Sequence, residues 1–146
     1  MAEKTGFSDF EKEAMRDRIE ELRREQSNNK DPKKGEADVL EKISEMTGQE
    51  ANIALKLHRL VHKIAPQLRA KTWYSMPAYC NPDGKVLLFF QCATKFKSRY
   101  NTLGFSDQAH LDHGTLWPNS FALTAWTAVT EAQVSELIQR ALTPVK

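Results

Sequence analysis

An α+β fold, with helices packed on one face of a small antiparallel sheet, is predicted by three observations. Apolar residues recur at helical spacing through residue 64 and again after residue 130. From Lys71 the period changes to short β-rich runs separated by turn residues. The resulting order, helix-helix-helix-strands-helix, groups the strands instead of alternating them with helices, which points to α+β and away from parallel α/β folds. The chain has 146 residues, 40% of them hydrophobic, enough for one core.

Residues 1–6 read as a frayed tail. In FSDFEKEAMRDRIEELRREQ, Ser8 and Glu11 have capping-box spacing. Phe10, Ala14, Met15, Ile19 and Leu22 form a narrow apolar stripe, and the rest of this peripheral helix is densely charged, with pairs such as Glu20 and Arg24 one turn apart. SNNKDPKKG, residues 27–35, reads as a linker with Pro32 and Gly35 as breakers. The chain therefore divides into a charged N-terminal helix and linker, 1–35, and an α+β domain, 36–146. A short second helix spans Glu36 to Met46 and buries Val39, Leu40 and Ile43. Thr47 caps the third helix with Glu50 three residues on; Ile53, Leu57, Leu60, Val61 and Ile64 give it the best apolar face in the chain, and Pro66 ends it.

KTWYSMPAYC reads as one or two strands interrupted at Pro77, and NPDG, residues 81–84, as a turn. KVLLFFQC is apolar without a break, as a central strand buried on both faces would be. KFKSRY, TLGF and SFAL are the remaining strands, with SDQAHLDHGTLWPN as a long loop before the last. Thr130 and Gln133 suggest the cap of a closing helix that turns Val134, Leu137, Ile138 and Ala141 inward.

Charge narrows the function classes. The formal net charge is +2, so the whole chain is no polycation, and nucleic acid is not an expected partner. No secretion-type segment is visible, and the longest apolar run, Val86 to Phe90, is too short to cross a bilayer, so no membrane association is expected. Cys80 and Cys92 make no disulfide framework; the expected setting is cytoplasmic, with reduced thiols serving as small buried hydrophobes. Residues 71–106 nevertheless hold five cations and one acid. If KFKSRY is a strand, Lys95, Lys97 and Arg99 share one face at roughly 6.5–7 Å intervals. That row is either a solvated face that protects an edge strand or a surface for an anionic ligand or acidic partner.

No phosphate loop, nucleophile elbow or CxxC pair is present, so a binding protein is expected rather than an enzyme. Trp73, Tyr74, Tyr79, Tyr100 and Trp117 lie in the β half, either as core or as the lining of a concave pocket. Trp73, Tyr79, Lys95, Lys97, Arg99, Tyr100 and Trp117 are the candidate ligand-binding residues. His58 and His62, at i and i+4, would share a helix face that one metal ion could bridge, but with no third ligand in sight they read as a boundary pair. His110, Asp112 and His113 cluster in the loop, and Glu11, Glu13 and Asp17 offer oxygens on the first helix.

KTWYSMPAY, FFQCATKFKSRYNTLGF and DHGTLWPNSFAL, in this order, resemble the YdhG-like family, described as frataxin-like iron chaperones. The resemblance runs from about Glu36 into the closing helix, and the charged leader resembles that of the family's extended members. It implies a compact α+β domain that holds iron and passes it to haem or iron–sulfur assembly proteins, with no tightly bound cofactor. For such metal carriage the candidate ligands are Glu11, Glu13, Asp17, Asp107, His110, Asp112 and His113.

Overall fold

Ser8 opens the first helix as its spacing predicts: the Ser8 hydroxyl accepts from the Glu11 N–H at 3.1 Å, and the Glu11 carboxylate accepts from the Ser8 N–H at 2.7 Å. The computed structural model describes residues 8–28 and 31–144, so the expected tail at 1–6 lies outside the described residues. Helix α1, Asp9–Asn28, does not turn its apolar stripe as a whole toward the domain. Met15, Ile19 and Leu22 are 49%, 58% and 45% exposed, while Glu21 is buried. The edge of the domain explains this inversion. It offers the Ser75 N–H, Lys71, Lys95 and Asp38, groups that a charged helix face can satisfy and an apolar one cannot.

Helix α2, Pro32–Ser44, begins a turn before its expected start. The Asp31 side chain accepts from the Lys33 N–H, and Pro32 sits where a helix has no use for an N–H. With residues 27 and 28 in α1 and 32–35 in α2, six of the nine residues of the expected linker are therefore helical. Gly35, read as a breaker, is instead a contact point: a Cβ there would stand 2.4 Å from the Ala70 carbonyl oxygen, so only glycine lets α2 lie this close to the sheet. Helix α3, Gly48–Ile64, buries Ile53, Leu57, Leu60 and Val61 as its periodicity predicts. Thr47 is its N-cap residue but its side chain makes no capping bond; Glu50 turns away and accepts from the Thr94 N–H at 2.6 Å.

Five antiparallel strands follow, β1 Arg69–Trp73, β2 Met76–Cys80, β3 Val86–Gln91, β4 Asn101–Phe105 and β5 Ser120–Leu123, neighbouring one another in chain order. The break between β1 and β2 falls at Tyr74 and Ser75, both at positive φ (50° and 66°), not at Pro77. Pro77 is tolerated inside β2 because the β2–β3 register starts only at Ala78. The NPDG turn closes as expected, with the Gly84 N–H on the Asn81 oxygen at 2.8 Å.

KFKSRY is not a strand. Ala93–Phe96 form a single helical turn, α4; Lys97 leaves it in the left-handed conformation at φ 56°, and β4 starts only at Asn101. Buried Asn101 sets this geometry: its Oδ1 accepts from the Ala93 N–H at 2.8 Å while its Nδ2 donates to the Leu123 oxygen at 3.0 Å. Satisfying one buried amide on both sides fixes a tight turn that a hydrophobic pattern does not announce. Helix α5, Ala128–Leu142, is capped by Thr127, whose hydroxyl accepts from the Thr130 N–H, one turn before the expected cap.

Strand register sorts the sheet into two faces. Ala70, Tyr79, Leu88 and Phe105 align in one row and meet the buried faces of α2, α3 and α5. Lys71, Ala78, Phe89, Gly104 and Ser120 align on the other. There the Phe89 ring lies across Gly104, 2.2 Å from where a Cβ would be. This is the expected arrangement, helices on one face of an antiparallel sheet. Among the described residues no helix is long and apolar enough to cross a membrane.

Candidate metal centre

Three side chains from two helices converge beside Tyr79. Glu36 follows the close-approach Gly35 on α2, and His58 and His62 stand one turn apart on α3. Nε2 of His62 lies 3.0 Å from Nε2 of His58, and Nε2 of His58 lies 3.5 Å from Oε1 of Glu36; the same Glu36 oxygen is in close contact with His62 Nε2. The two imidazoles meet edge-on, with centroids 4.4 Å apart and planes at 86°. His58 is buried, whereas the side chains of His62 and Glu36 are 43% and 39% exposed. The group is thus anchored on its inner side and open to solvent on its outer side.

Behind it, the Tyr79 hydroxyl lies 2.9 Å from Nδ1 of His58. Tyr79 is 1% exposed, and burial raises its phenol well above the ordinary value. Burial also lowers the His58 imidazole below its ordinary value; the neighbouring His62 adds to this, and Glu36 opposes it. A neutral imidazole with one nitrogen held by a hydrogen bond and the other facing a carboxylate is the state in which histidine binds metals.

Two of the three donor separations, those made by His58, are near the spacing of a shared ion, and the His62–Glu36 contact is closer. With metal–ligand bonds of about 2.0–2.1 Å, adjacent donors in octahedral or tetrahedral coordination stand about 2.9–3.4 Å apart. The 3.0 Å and 3.5 Å separations observed lie at that scale. Among the described residues, Glu36, His58 and His62 are the group of three or more potential ligands whose donor atoms all lie within 4.8 Å of one another. Two imidazoles and one carboxylate suit a first-row transition ion rather than magnesium or calcium.

The ligands expected from sequence are not brought together. Glu11 belongs to the α1 capping box, and Asp17 faces Lys95 at 3.8 Å. Glu13 lines a cavity of about 370 Å³ with Phe10, Tyr74 and Phe96. Asp107 accepts from the Gln108 side chain, His110 is tied by its backbone N–H to the Ala141 oxygen, and Asp112 and His113 are exposed on the loop. None of these seven belongs to the Glu36 group.

The expected ligand-binding surface is dispersed as well. Trp73 packs against Tyr74 and Phe89 on the outer face of the sheet, while Tyr79 points into the helices. Lys95, Lys97 and Arg99 form no row. Lys95 pairs with Asp17, Lys97 Nζ lies 5.3 Å from the Phe10 ring centroid, and Arg99 lies 5.2 Å from that of Tyr100. Lys71 in turn meets Glu25 at 3.0 Å. The acids that the basic segment lacks are supplied in part by α1. Trp117 is 36% exposed on the loop before β5.

The sequence signal for the centre was the His58–His62 spacing; the third ligand was hidden because Glu36 comes from another helix. Comparison of the chain with protein-family models, curated proteins and solved structures finds no match.

Proposed function

We propose that the protein binds a divalent first-row transition ion at Glu36, His58 and His62 and passes it on. The observation that supports this reading is the convergence of the three donors within 4.8 Å of one another, with His58 standing from His62 and from Glu36 at about the spacing of a shared coordination sphere. Three protein donors leave positions for water or for a recipient's ligands, which suits a carrier better than a closed structural site. The Tyr79 hydroxyl orients His58 from behind: with an ion on Nε2, the Nδ1–H donates to the phenol oxygen. Half-exposed His62 and Glu36 form the side through which the ion enters and leaves.

Ligand chemistry alone ranks zinc above ferrous iron. Iron is the proposed cargo on the resemblance to YdhG-like iron chaperones, and haem or iron–sulfur assembly proteins are the proposed recipients on the same ground. The basic aromatic surface is the weaker reading, because Lys71 and Lys95 have acidic partners of their own.

An anaerobic calorimetric titration with ferrous iron, with zinc and magnesium in parallel, tests the proposal. One saturable site for iron and zinc, none for magnesium, and its loss in both Glu36→Ala and His62→Ala are expected. A flat iron trace, or an isotherm that both variants retain, overturns it.

A further inference from the structure

The two edges of the sheet are treated differently. The β1 edge is sheltered: α2 lies against Ala70, and α1 reaches Lys71 and Ser75. Strand β5 ends the sheet on the other side, paired with β4 alone among the described strands. An open edge presents unpaired backbone N–H and C=O groups, which proteins usually defend with charge. Here there is none. Residues 116–129, LWPNSFALTAWTAV, hold no charged residue in a chain that is 27% charged. The same stretch exposes Leu116 at 89%, Val129 at 68% and Trp117 at 36%.

Next to this edge lies a mostly apolar groove of about 320 Å³ between β5 and α5, lined by Leu103, Phe121, Leu123, Val134 and Leu137, with Glu136 also on its lining. The exposed Leu116–Trp117 pair precedes β5, and the groove extends from β5 to the first turn of α5 at Thr130.

We propose that β5 pairs antiparallel with β5 of a second copy, joining two sheets into one of ten strands, with the Leu116–Trp117 projection of each copy covering the groove of the other. Two-fold symmetry makes the features complementary. Antiparallel pairing sets the start of one β5 beside the end of the other. In a register centred on Ala122, Trp117 falls opposite Thr127 of the second copy, three residues before Thr130 on the groove lining. An isologous contact also sets like residues close together, so charge is a penalty, and this segment is free of it. Sinking two such projections into two grooves and closing two strand edges removes on the order of 1,000 Å² in total, near the lower bound for a specific interface.

Sedimentation equilibrium of the full chain, from low micromolar to near-millimolar concentration, tests this. The expected species has twice the monomer mass of 16.7 kDa. Leu116→Glu and Ala122→Lys, both at exposed positions, are expected to weaken the dimer by about thirtyfold or more while keeping the native circular dichroism spectrum. Ile19→Glu, on the exposed face of α1, is expected to leave the dimer intact. A monomer at every concentration overturns the proposal. So does a dimer that survives the two β5-side changes, or one that dissociates with Ile19→Glu.

Discussion

The Tyr79 hydroxyl and Nδ1 of His58 lie 2.9 Å apart, joining the second strand of the sheet to the third helix beneath the proposed metal centre. Under the proposed function this bond serves both stability and ion binding, and the two roles can be separated by experiment. Tyr79→Phe keeps the ring and deletes the partner of a buried nitrogen. Unfolding in urea should show a loss of about 1–2 kcal/mol. Zinc affinity measured on the same variant should fall by roughly tenfold or more, as for other lost supports of a ligating histidine. Unchanged affinity would mean that the phenol plays no part in orienting His58.

Cys80 gives the chain an alkaline sensitivity. Burial pushes its thiol up to about 11, from an ordinary 9.0. Between these values the folded thiol keeps a proton that the unfolded thiol has released. The folded state then binds more protons, and stability falls as pH rises through the window. The loss should be on the order of 2 kcal/mol. Urea midpoints of the wild type and Cys80→Ala, measured under reducing conditions across the window, should converge as pH rises. A constant gap between them would contradict the assignment.

Gly35→Ala tests whether α2 is held against the sheet by close approach. Helix propensity alone favours alanine by about 1 kcal/mol. The new Cβ would stand 2.4 Å from the Ala70 carbonyl oxygen, a backbone atom that cannot swing aside. The clash should win, with a net destabilisation of about 1–3 kcal/mol by thermal or chemical unfolding. A more stable variant would show that α2 can back away from β1 without cost.

The β1–β2 turn offers a gain. Ser75 sits at φ 66°, where a side chain is strained, and its structural contribution is a backbone N–H donated to Glu21. Ser75→Gly keeps that donor and removes the strain, so stability should rise by up to about 1 kcal/mol. A decrease in the urea midpoint would instead assign the Ser75 side chain a packing role in this buried turn.

The layer order was readable from sequence because long periodic faces are hard to mistake. Ile53, Leu57, Leu60 and Val61 required a buried helix and form one. The unbroken apolar run of β3 placed it at the centre of the sheet, where it lies. KFKSRY misled because alternation of charged and other residues suits a strand as well as a short helix leading into a turn. The deciding contact, Asn101 to Ala93 and Leu123, involves a polar residue with no periodic signature. The orientation of α1 was illegible for a related reason: its inward face is chosen by what the domain edge needs, so Glu21 goes in and Ile19 stays out. The proposed metal centre was half legible. Helical spacing paired His58 with His62, but only the packing of α2 beside α3 supplies Glu36.

The inverted first helix also gives the molecule two grades of attachment. The core is held by apolar burial, which added salt does not weaken. Helix α1 is fastened largely by Arg24 to Asp38, Glu25 to Lys71, Asp17 to Lys95 and Glu21 to the Ser75 N–H. Most of those fastenings are partly exposed and weaken as the Debye length shortens. Ionic strength therefore acts as a dial on one segment alone. In brine the leader loosens from a body that stays folded, and a protease that cuts after Arg23 or Arg24 would read the setting of that dial directly.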